Sequence, residues 1–141
     1  NGENGIIRKW MKCGNSGWRL DVADELPDPF IQHIREAIKA ENPDALLLGE
    51  VWEDASIKES YSSRRRFLYG KQLDSVMNYP FRDAILGFLD CGDGRDMVEM
   101  ITCILENYPR PVIRCLMNLL GTHDTESYNT SCWRKTKRQR P

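Results

Sequence analysis

The sequence has no long hydrophobic run, no excess of one charge and no paired cysteine motif, and each absence argues against a class of function. No apolar stretch approaches the roughly 18 residues that cross a membrane as a helix. Residues 1–11 also lack the basic-then-apolar order of a signal peptide. The 20 Lys and Arg residues nearly balance the 21 Asp and Glu residues, which argues against a surface built mainly for nucleic acid or anionic lipid. We therefore expect no nucleic acid and no membrane among the partners.

The cysteines do not follow the pattern of a disulfide framework or a zinc site. They are odd in number and include no C-x-x-C pair: Cys13, Cys91, Cys103, Cys115 and Cys132. Reduced thiols of an intracellular protein fit this pattern better, so we expect a cytoplasmic protein. The sequence also has no D-x-D-x-D-G loop for calcium. We predict no cofactor and no metal site, and leave calcium binding by a longer parent protein open.

The order of apolar patterns predicts an α/β fold. At 141 residues, with 40% hydrophobic and 29% charged residues, the chain has the composition of roughly one globular domain. Trp18, Leu20 and Val22 alternate with charged residues, which predicts a strand, and the apolar run ALLLGEVW predicts a buried parallel strand. The elements predicted in chain order are a strand at 17–22, a helix from Asp28 that ends before Asn42-Pro43, strands at 45–52 and 73–79, helices at about 81–89 and 96–107, and a short strand end at 120–125.

Charged or polar residues come where these strands are predicted to end. Asp21 ends the first strand, Glu50 the second, Asn78 the third, and the pair His123-Asp124 the fourth. Because the C-terminal ends of parallel strands meet at one rim of a sheet or barrel, we expect these residues to converge. A shared pocket at that rim would explain why a strand carries an aspartate.

Two carboxylates at one rim would permit retaining glycoside hydrolysis. Such enzymes need an ionised nucleophile and a protonated acid about 5 to 5.5 Å apart, and adjacent strands lie about 4.8 Å apart. Asp21 and Glu50 fit this spacing, and Arg19, on the same face as Asp21, would keep that carboxylate ionised. Acidic residues at strand ends also cap helices, so the pattern alone leaves a purely structural role open.

Three segments carry a resemblance to a known family: GWRLDVADE, LLGEVWEDA and NLLGTHDTE. In this order they resemble three of the four short motifs of the alpha-amylase family of glycoside hydrolases. Trp18, the VA-x-E sequence that ends at Glu25, GEVW and SVMNYPF resemble the branch of neopullulanases, cyclomaltodextrinases and maltogenic amylases in particular. The resemblance covers nearly all of residues 17–126 and implies part of a (β/α)8 TIM barrel, about strands four to seven.

The resemblance also implies a role for each site residue. Asp21 would be the nucleophile that forms a covalent glycosyl-enzyme, and Glu50 would be the acid that then acts as base. Asp124 would stabilise the transition state, Arg19 would orient Asp21, and His123 would bind the same sugar as Asp124. The implied substrates are α-1,4-linked glucans, including cyclodextrins, pullulan and starch, with transfer to sugar acceptors as a side activity.

Other residues receive weaker interpretations. Glu25 and Trp52 resemble acceptor-side sugar contacts of the branch, and packing at the barrel rim is the alternative for both. Asn78 and Tyr79 are interpreted as the end of a strand. The run Arg64-Arg65-Arg66 is interpreted as a solvated loop or helix face.

The sequence departs from the family pattern in two ways. A (β/α)8 barrel takes about 250 residues, and the motif of the third strand and the whole eighth strand are missing. We therefore interpret residues 1–126 as a partial catalytic barrel from a longer protein, inactive alone and poorly stable or self-associating. Residues 127–141, rich in Lys and Arg, are predicted to be a divergent, disordered tail, with a nucleic-acid or membrane tether as the alternative.

Two hypotheses for function follow. The first is a glycosidase that acts on α-1,4-glucosidic bonds by a retaining double displacement. The second is a carbohydrate-binding or structural derivative of the amylase fold that does no chemistry. Both predict an α-glucan as partner, and only the first predicts turnover. The preferred glucan and the oligomeric state, including a homodimer of the parent protein, are left open.

Overall fold

A parallel sheet with helices between its strands forms the centre of the fold. The computed structural model describes Gly2 and residues 5–125. The sheet contains β1 (Gly17–Leu20), β2 (Leu46–Gly49), β5 (Ser75–Asn78) and β6 (Met117–Asn118), paired in sequence order. A separate antiparallel hairpin consists of β3 (Glu59–Ser60) and β4 (Ser63–Arg64). The helices are α1 (Ile6–Lys12), α2 (Asp28–Glu41), α3 (Tyr79–Cys91), α4 (Gly94–Asn107) and α5 (Arg110–Arg114). This arrangement confirms the predicted α/β fold.

Helix α2 shows how local sequence sets an element of this fold. Pro29 lies in its first turn, where a missing N–H leaves no hydrogen bond unmade. Its buried residues recur at helical spacing, namely Ile31, Ile34, Ala37 and Ile38. The helix ends at Glu41 because Asn42 precedes Pro43 and takes an extended conformation.

Apolar residues pack against both faces of the sheet. On one face, Leu47 and Val76 pack in a large core with the buried side of α2. Leu48 points to the opposite face, since successive side chains of a strand alternate, and packs there with Met77, Tyr79 and Leu119. Each fully buried Leu or Ile contributes about 1.5–3 kcal/mol. Strands buried on both faces are typical of parallel sheets covered by helices.

The strands are shorter than predicted, and the last one lies elsewhere. The predicted strand 17–22 ends at Leu20 because Val22 has a positive φ of 44°, which turns the chain out of the sheet. The predicted strands 45–52 and 73–79 are likewise reduced to β2 and β5. The prediction of a strand end at 120–125 is wrong: β6 ends at Asn118, and Thr125 N donates to the Thr122 carbonyl at 3.3 Å in a turn.

The interpretation of Arg64-Arg65-Arg66 as a solvated run is wrong for its middle residue. The Arg65 side chain is only 4% exposed, although both neighbours are exposed. Its guanidinium donates to the Asp28 carboxylate at 2.9 Å and lies over the Phe67 ring at 4.7 Å. Arg65 therefore fastens the hairpin to the start of α2, a contact that the sequence did not predict.

The described residues include four of the five cysteines and exclude the basic tail. The predicted basic tail 127–141, with Cys132, lies outside the described residues. The other four cysteines are free and exposed: Cys13, Cys91, Cys103 and Cys115. Within residues 5–125, no helix has the length and apolar character needed to cross a membrane.

Candidate active site

Asp21 and Glu50 lie side by side at the ends of adjacent parallel strands. Leu20 of β1 is in register with Gly49 of β2, so the two acidic residues each follow the last paired residue of their strand. The ladder continues for one more step, because Glu50 N donates to the Leu20 carbonyl at 2.9 Å. Ala23 N then donates to the Glu50 carbonyl at 3.0 Å and closes the turn that follows.

Gly49 allows the chain to pass close to its neighbours immediately before Glu50. A Cβ atom at this position would lie 2.3 Å from Leu73 Cδ1 and 3.2 Å from Ala23 Cβ, and the first distance is too short for any side chain. The glycine therefore permits Leu73 and Ala23 to pack closely against the strand under the rim.

Arg19 connects the two carboxylates. Its Nη1 atom lies 2.5 Å from Asp21 Oδ1, and its Nη2 atom lies 2.9 Å from Glu50 Oε2. Its Nε atom also donates to Met77 Sδ at 3.4 Å, which fixes the side chain against the small core cluster. One guanidinium thus pairs with both acidic groups and holds them near each other.

Glu50 is buried, and its surroundings nonetheless favour its ionised form. Its side chain is 4% exposed, and burial alone would raise its pKa. The N–H of Val22 donates to Oε2 at 3.0 Å and the indole N–H of Trp52 donates to Oε1 at 3.1 Å. These bonds, the charge of Arg19 and the nearby Asp21 carboxyl outweigh burial, so the pKa of Glu50 is lowered.

Val22 reaches Glu50 through a strained backbone. A β-branched residue rarely adopts a left-handed conformation, and Val22 does so with φ 44°. This conformation turns the chain directly after Asp21, where the Val22 N–H meets the Glu50 carboxylate. Strain of this kind costs about 1–3 kcal/mol and is often found at functional sites.

Tyr79 is a site residue that the sequence interpretation missed. Its ring is 2% exposed, and its hydroxyl donates to Glu50 Oε1 at 3.2 Å. Burial and the negative charge of Glu50 raise the pKa of Tyr79. The ring stacks on that of Trp52, with centroids 5.0 Å apart and an angle of 17° between the planes. Its place directly after Asn78, the third polar strand end, was a signal that could have identified it.

Asp124 and His123 form a separate pair. His123 Nε2 lies 3.1 Å from Asp124 Oδ2, and both side chains are exposed. Within residues 5–125, Asp124 contacts His123 and Thr122 rather than the two strand-end carboxylates. β6 ends well before this pair, and Thr122 of the same turn hydrogen-bonds the Tyr79 hydroxyl at the rim.

The two predicted acceptor-side residues are both accessible. Trp52 is 49% exposed, although its ring stacks on that of Tyr79. Glu25 is exposed at the end of a short turn, Ala23–Glu25, and accepts a hydrogen bond from the hydroxyl of Tyr61 in the hairpin.

A large cavity near the hairpin lies away from the two carboxylates. A cavity of about 910 Å³ opens between the hairpin and α2, and neither Asp21 nor Glu50 lines it. Across the part of the chain that the structure describes, no group of three or more His, Cys, Asp or Glu side chains is placed to hold a metal ion. The rim itself is open, with Asp21 exposed to solvent.

Comparison with known proteins gives a consistent set of relatives. The model of the alpha-amylase catalytic domain matches residues 2–140. Neopullulanase 2 of Thermoactinomyces vulgaris is 41% identical over 129 residues, which is 90% of this chain and 20% of that protein. A cyclomaltodextrinase of Thermoanaerobacter pseudethanolicus is 43% identical over 128 residues, 89% of this chain and 21% of that protein. The chain thus spans about a fifth of the length of these curated relatives.

Solved structures give the same result. The ligand-free cyclic alpha-maltosyl-(1→6)-maltose hydrolase of Arthrobacter globiformis superposes with a TM-score of 0.77 at 33% identity. That match covers 86% of this chain and 26% of the other.

Proposed function

The chain belongs to the alpha-amylase family of glycoside hydrolases, and on that premise we propose that the protein that carries it cleaves α-1,4-glucosidic bonds with retention. The relatives confirm the resemblance to neopullulanases and cyclomaltodextrinases. They also confirm that the parallel sheet is part of a (β/α)8 barrel. The observation that carries the proposal is the pair Asp21 and Glu50, joined by Arg19 at adjacent strand ends.

In the first step, Asp21 attacks the anomeric carbon and the bond to the leaving oxygen breaks. The exposed carboxylate of Asp21 is accessible to a sugar, and its ion pair with Arg19 holds the carboxylate in place for attack. Glu50 gives its proton to the leaving oxygen, so the leaving sugar departs as an alcohol. The product of this step is a glycosyl ester on Asp21.

In the second step, Glu50 acts as base. It takes a proton from water or from a sugar hydroxyl, and the oxygen of that group displaces Asp21 from the anomeric carbon. The lowered pKa of Glu50 favours the ionised form that this step uses. The carboxylate pair and Arg19 supply nucleophile, acid, base and charge, so we propose no resident cofactor.

Glu50 must carry a proton in the first step, although its pKa is lowered in the free rim. We propose that a bound glucan displaces water from the open rim and so raises the pKa of Glu50. Esterification of Asp21 removes one of the two negative charges beside Arg19. The guanidinium then pairs with Glu50 alone, which favours the ionised form of Glu50 that the second step requires. Glucan binding and esterification of Asp21 thus shift the pKa of Glu50 in opposite directions, as the two steps require.

Asp124 and His123 are proposed to complete the site around the sugar. They follow β6 in the chain. Because all four strands are parallel, the chain leaves β6 at the same edge of the sheet at which it leaves the other strands. The turn meets Tyr79 through Thr122, which supports its position beside Glu50. A sugar bound to Asp21 would meet the exposed Asp124 carboxylate with its hydroxyls.

Reducing-sugar release from β-cyclodextrin and pullulan tests this function. We would assay the full-length protein and its Glu50→Gln variant, with Glu53→Gln as the matched control, because Glu53 lies on the same loop and is 64% exposed. Loss of the acid is expected to reduce kcat about 10²- to 10⁴-fold, and the control is expected to keep full activity. The first product should have the α configuration of the substrate.

Two outcomes would contradict the proposal. Full activity in Glu50→Gln would show that another group is the acid, and a β-configured first product would exclude a glycosyl ester on Asp21. Binding of β-cyclodextrin without turnover by the wild type would favour the carbohydrate-binding alternative.

A further inference from the structure

Given the proposed function, on which this inference rests, we propose that Tyr61 at the tip of the β3–β4 hairpin contacts the acceptor sugar and raises transfer relative to hydrolysis. Arg65 is proposed as the positioning residue that holds the hairpin over the site. Tyr61 thus acts on specificity, through the choice between a sugar and water in the second step.

The hairpin lies over the turn that follows Asp21. The Tyr61 hydroxyl donates to the Glu25 carboxylate, and Ser60 Oγ donates to the Asp24 carbonyl at 3.1 Å. Asp24 and Glu25 follow Asp21 within four residues, so these bonds bring the hairpin tip to the edge of the rim. The Tyr61 ring remains 74% exposed, so a ligand at the rim can reach its face.

The hairpin tip holds this ring in an unfavourable backbone conformation. Ser60 pairs with Ser63, so Tyr61 and Ser62 are the two central residues of the turn, with φ values of 52° and 62°. Two positive φ values define a type I′ turn, in which Asn and Gly are the preferred central residues. Tyrosine at the first of these positions is disfavoured by its Cβ, so its presence argues for a use other than stability.

Arg65 holds the hairpin against the loop that follows Asp21. Its Nη1 atom donates to the Asp24 carbonyl at 2.7 Å and its Nη2 atom donates to the Leu26 carbonyl at 2.5 Å. It also forms an ion pair with Asp28 at 2.8 Å, while its side chain is almost fully buried. These contacts join the loop after Glu50 to the loop after Asp21, so the position of Tyr61 relative to the carboxylates is set.

The chemistry of the first step indicates which sugar the hairpin faces. Glu50 protonates the leaving oxygen, so the leaving sugar, and later the acceptor, lies beside Glu50. Residues 51–72 continue directly from Glu50, and two aromatic rings on that segment, Trp52 and Tyr61, expose a face to solvent. A flat aromatic face suits the apolar face of a pyranose ring. The Tyr61 hydroxyl also holds Glu25, whose side chain is exposed at the rim.

The ratio of transfer to hydrolysis tests the proposal in the full-length protein. β-Cyclodextrin serves as donor and maltose as acceptor, and transfer products and reducing sugar are measured together. Tyr61→Ala is expected to raise the maltose concentration for half-maximal transfer about tenfold and so to lower the ratio of transfer to hydrolysis. Tyr61→Phe keeps the ring and should retain most of the transfer. Ser62→Gly is the matched control, since it changes the same turn and leaves the ring in place.

Each other outcome is decisive. An unchanged maltose dependence in Tyr61→Ala would overturn the proposal. An equal fall of hydrolysis and transfer, shared by Ser62→Gly, would show that the hairpin serves stability alone and would also overturn it. Failure of the wild type to cleave β-cyclodextrin would instead contradict the proposed function, and this inference with it.

Discussion

Asp21 and Glu50 follow adjacent parallel strands at equivalent positions, yet the side chain of Asp21 is 70% exposed and that of Glu50 only 4%. The difference comes from what covers each group. Trp52 and Tyr79 lie against Glu50, whereas the chain after Asp21 turns away at Val22. The Asp21 carboxylate is therefore accessible to a substrate. The Glu50 carboxylate is surrounded by hydrogen-bond donors that set its pKa.

The first prediction concerns Tyr79, which donates to Glu50 and supports the Trp52 ring. Tyr79→Phe keeps the stacked ring and removes the hydroxyl, so a bond that favours ionised Glu50 is lost. The pKa of Glu50 should rise, and the basic limb of the pH profile of kcat/KM should move to higher pH. Loss of one hydrogen bond of about 1 kcal/mol predicts a roughly fivefold rise in kcat/KM on this basic limb, where the protonated fraction of Glu50 sets the rate.

Tyr69→Phe is the control for this prediction. Tyr69 is 66% exposed and lies at the cavity between the hairpin and α2, away from Glu50. Its variant should keep the wild-type profile. A Tyr79→Phe profile that coincides with that of the wild type would show that the hydroxyl does not act on Glu50.

The second prediction concerns Arg65. Arg65→Met has a similar length but no charge, so Asp28 and the carbonyls of Asp24 and Leu26 lose a buried partner. The lost hydrogen bonds are expected to lower the free energy of unfolding by about 2 kcal/mol, because water can reach Asp28, which is 38% exposed, but not the Arg65 site. The loosened hairpin should also be cut faster by chymotrypsin after Tyr61. Urea unfolding and the rate of cleavage measure the two effects.

Arg66→Met gives the comparison, because Arg66 is exposed and next in sequence. It is expected to change the stability by less than about 0.5 kcal/mol. Equal effects of the two substitutions would mean that the buried contacts of Arg65 contribute nothing particular.

The elements that sequence patterns predicted are those set by local spacing. Ile31, Ile34 and Ile38 recur at helical intervals and form the buried face of α2 as expected. The order of strands and the placement of Asp21 and Glu50 at neighbouring ends also follow from short patterns, because a parallel α/β unit repeats along the chain.

The features that sequence patterns missed depend on distant contacts. Arg64, Arg65 and Arg66 are the same residue type in a row, and only the partners of Arg65, about 40 residues earlier, decide which one is buried. The role of Tyr79 depends on its contacts with the Trp52 ring and Glu50, which are distant from it in sequence. The periodicity of apolar residues does not indicate which distant residues form hydrogen bonds with each other, so only the structure shows these partners.

The last prediction concerns Asp74, which joins the end of α2 to strand β2. Its carboxylate accepts from Arg35 at 2.6 Å and from Leu47 N at 2.8 Å, and Lys39 lies 3.0 Å away. Burial would raise the pKa of Asp74, and these donors more than offset it, so the pKa is lowered from its ordinary value of 3.8. The stabilisation is therefore complete above pH 3.8 and is lost as the pH falls through the lower folded-state pKa.

Asp74→Asn should consequently lower the free energy of unfolding by about 2 kcal/mol at pH 7. The gap between variant and wild type should narrow as both are unfolded in urea at pH values below 3.8, because the wild-type carboxylate then becomes neutral as well. Asp83→Asn is the matched control, since Asp83 is 55% exposed beside Arg82 and its loss should matter little at either pH. A gap of the same size at both pH values would show that the shape of the side chain, rather than its charge, holds α2 against the sheet.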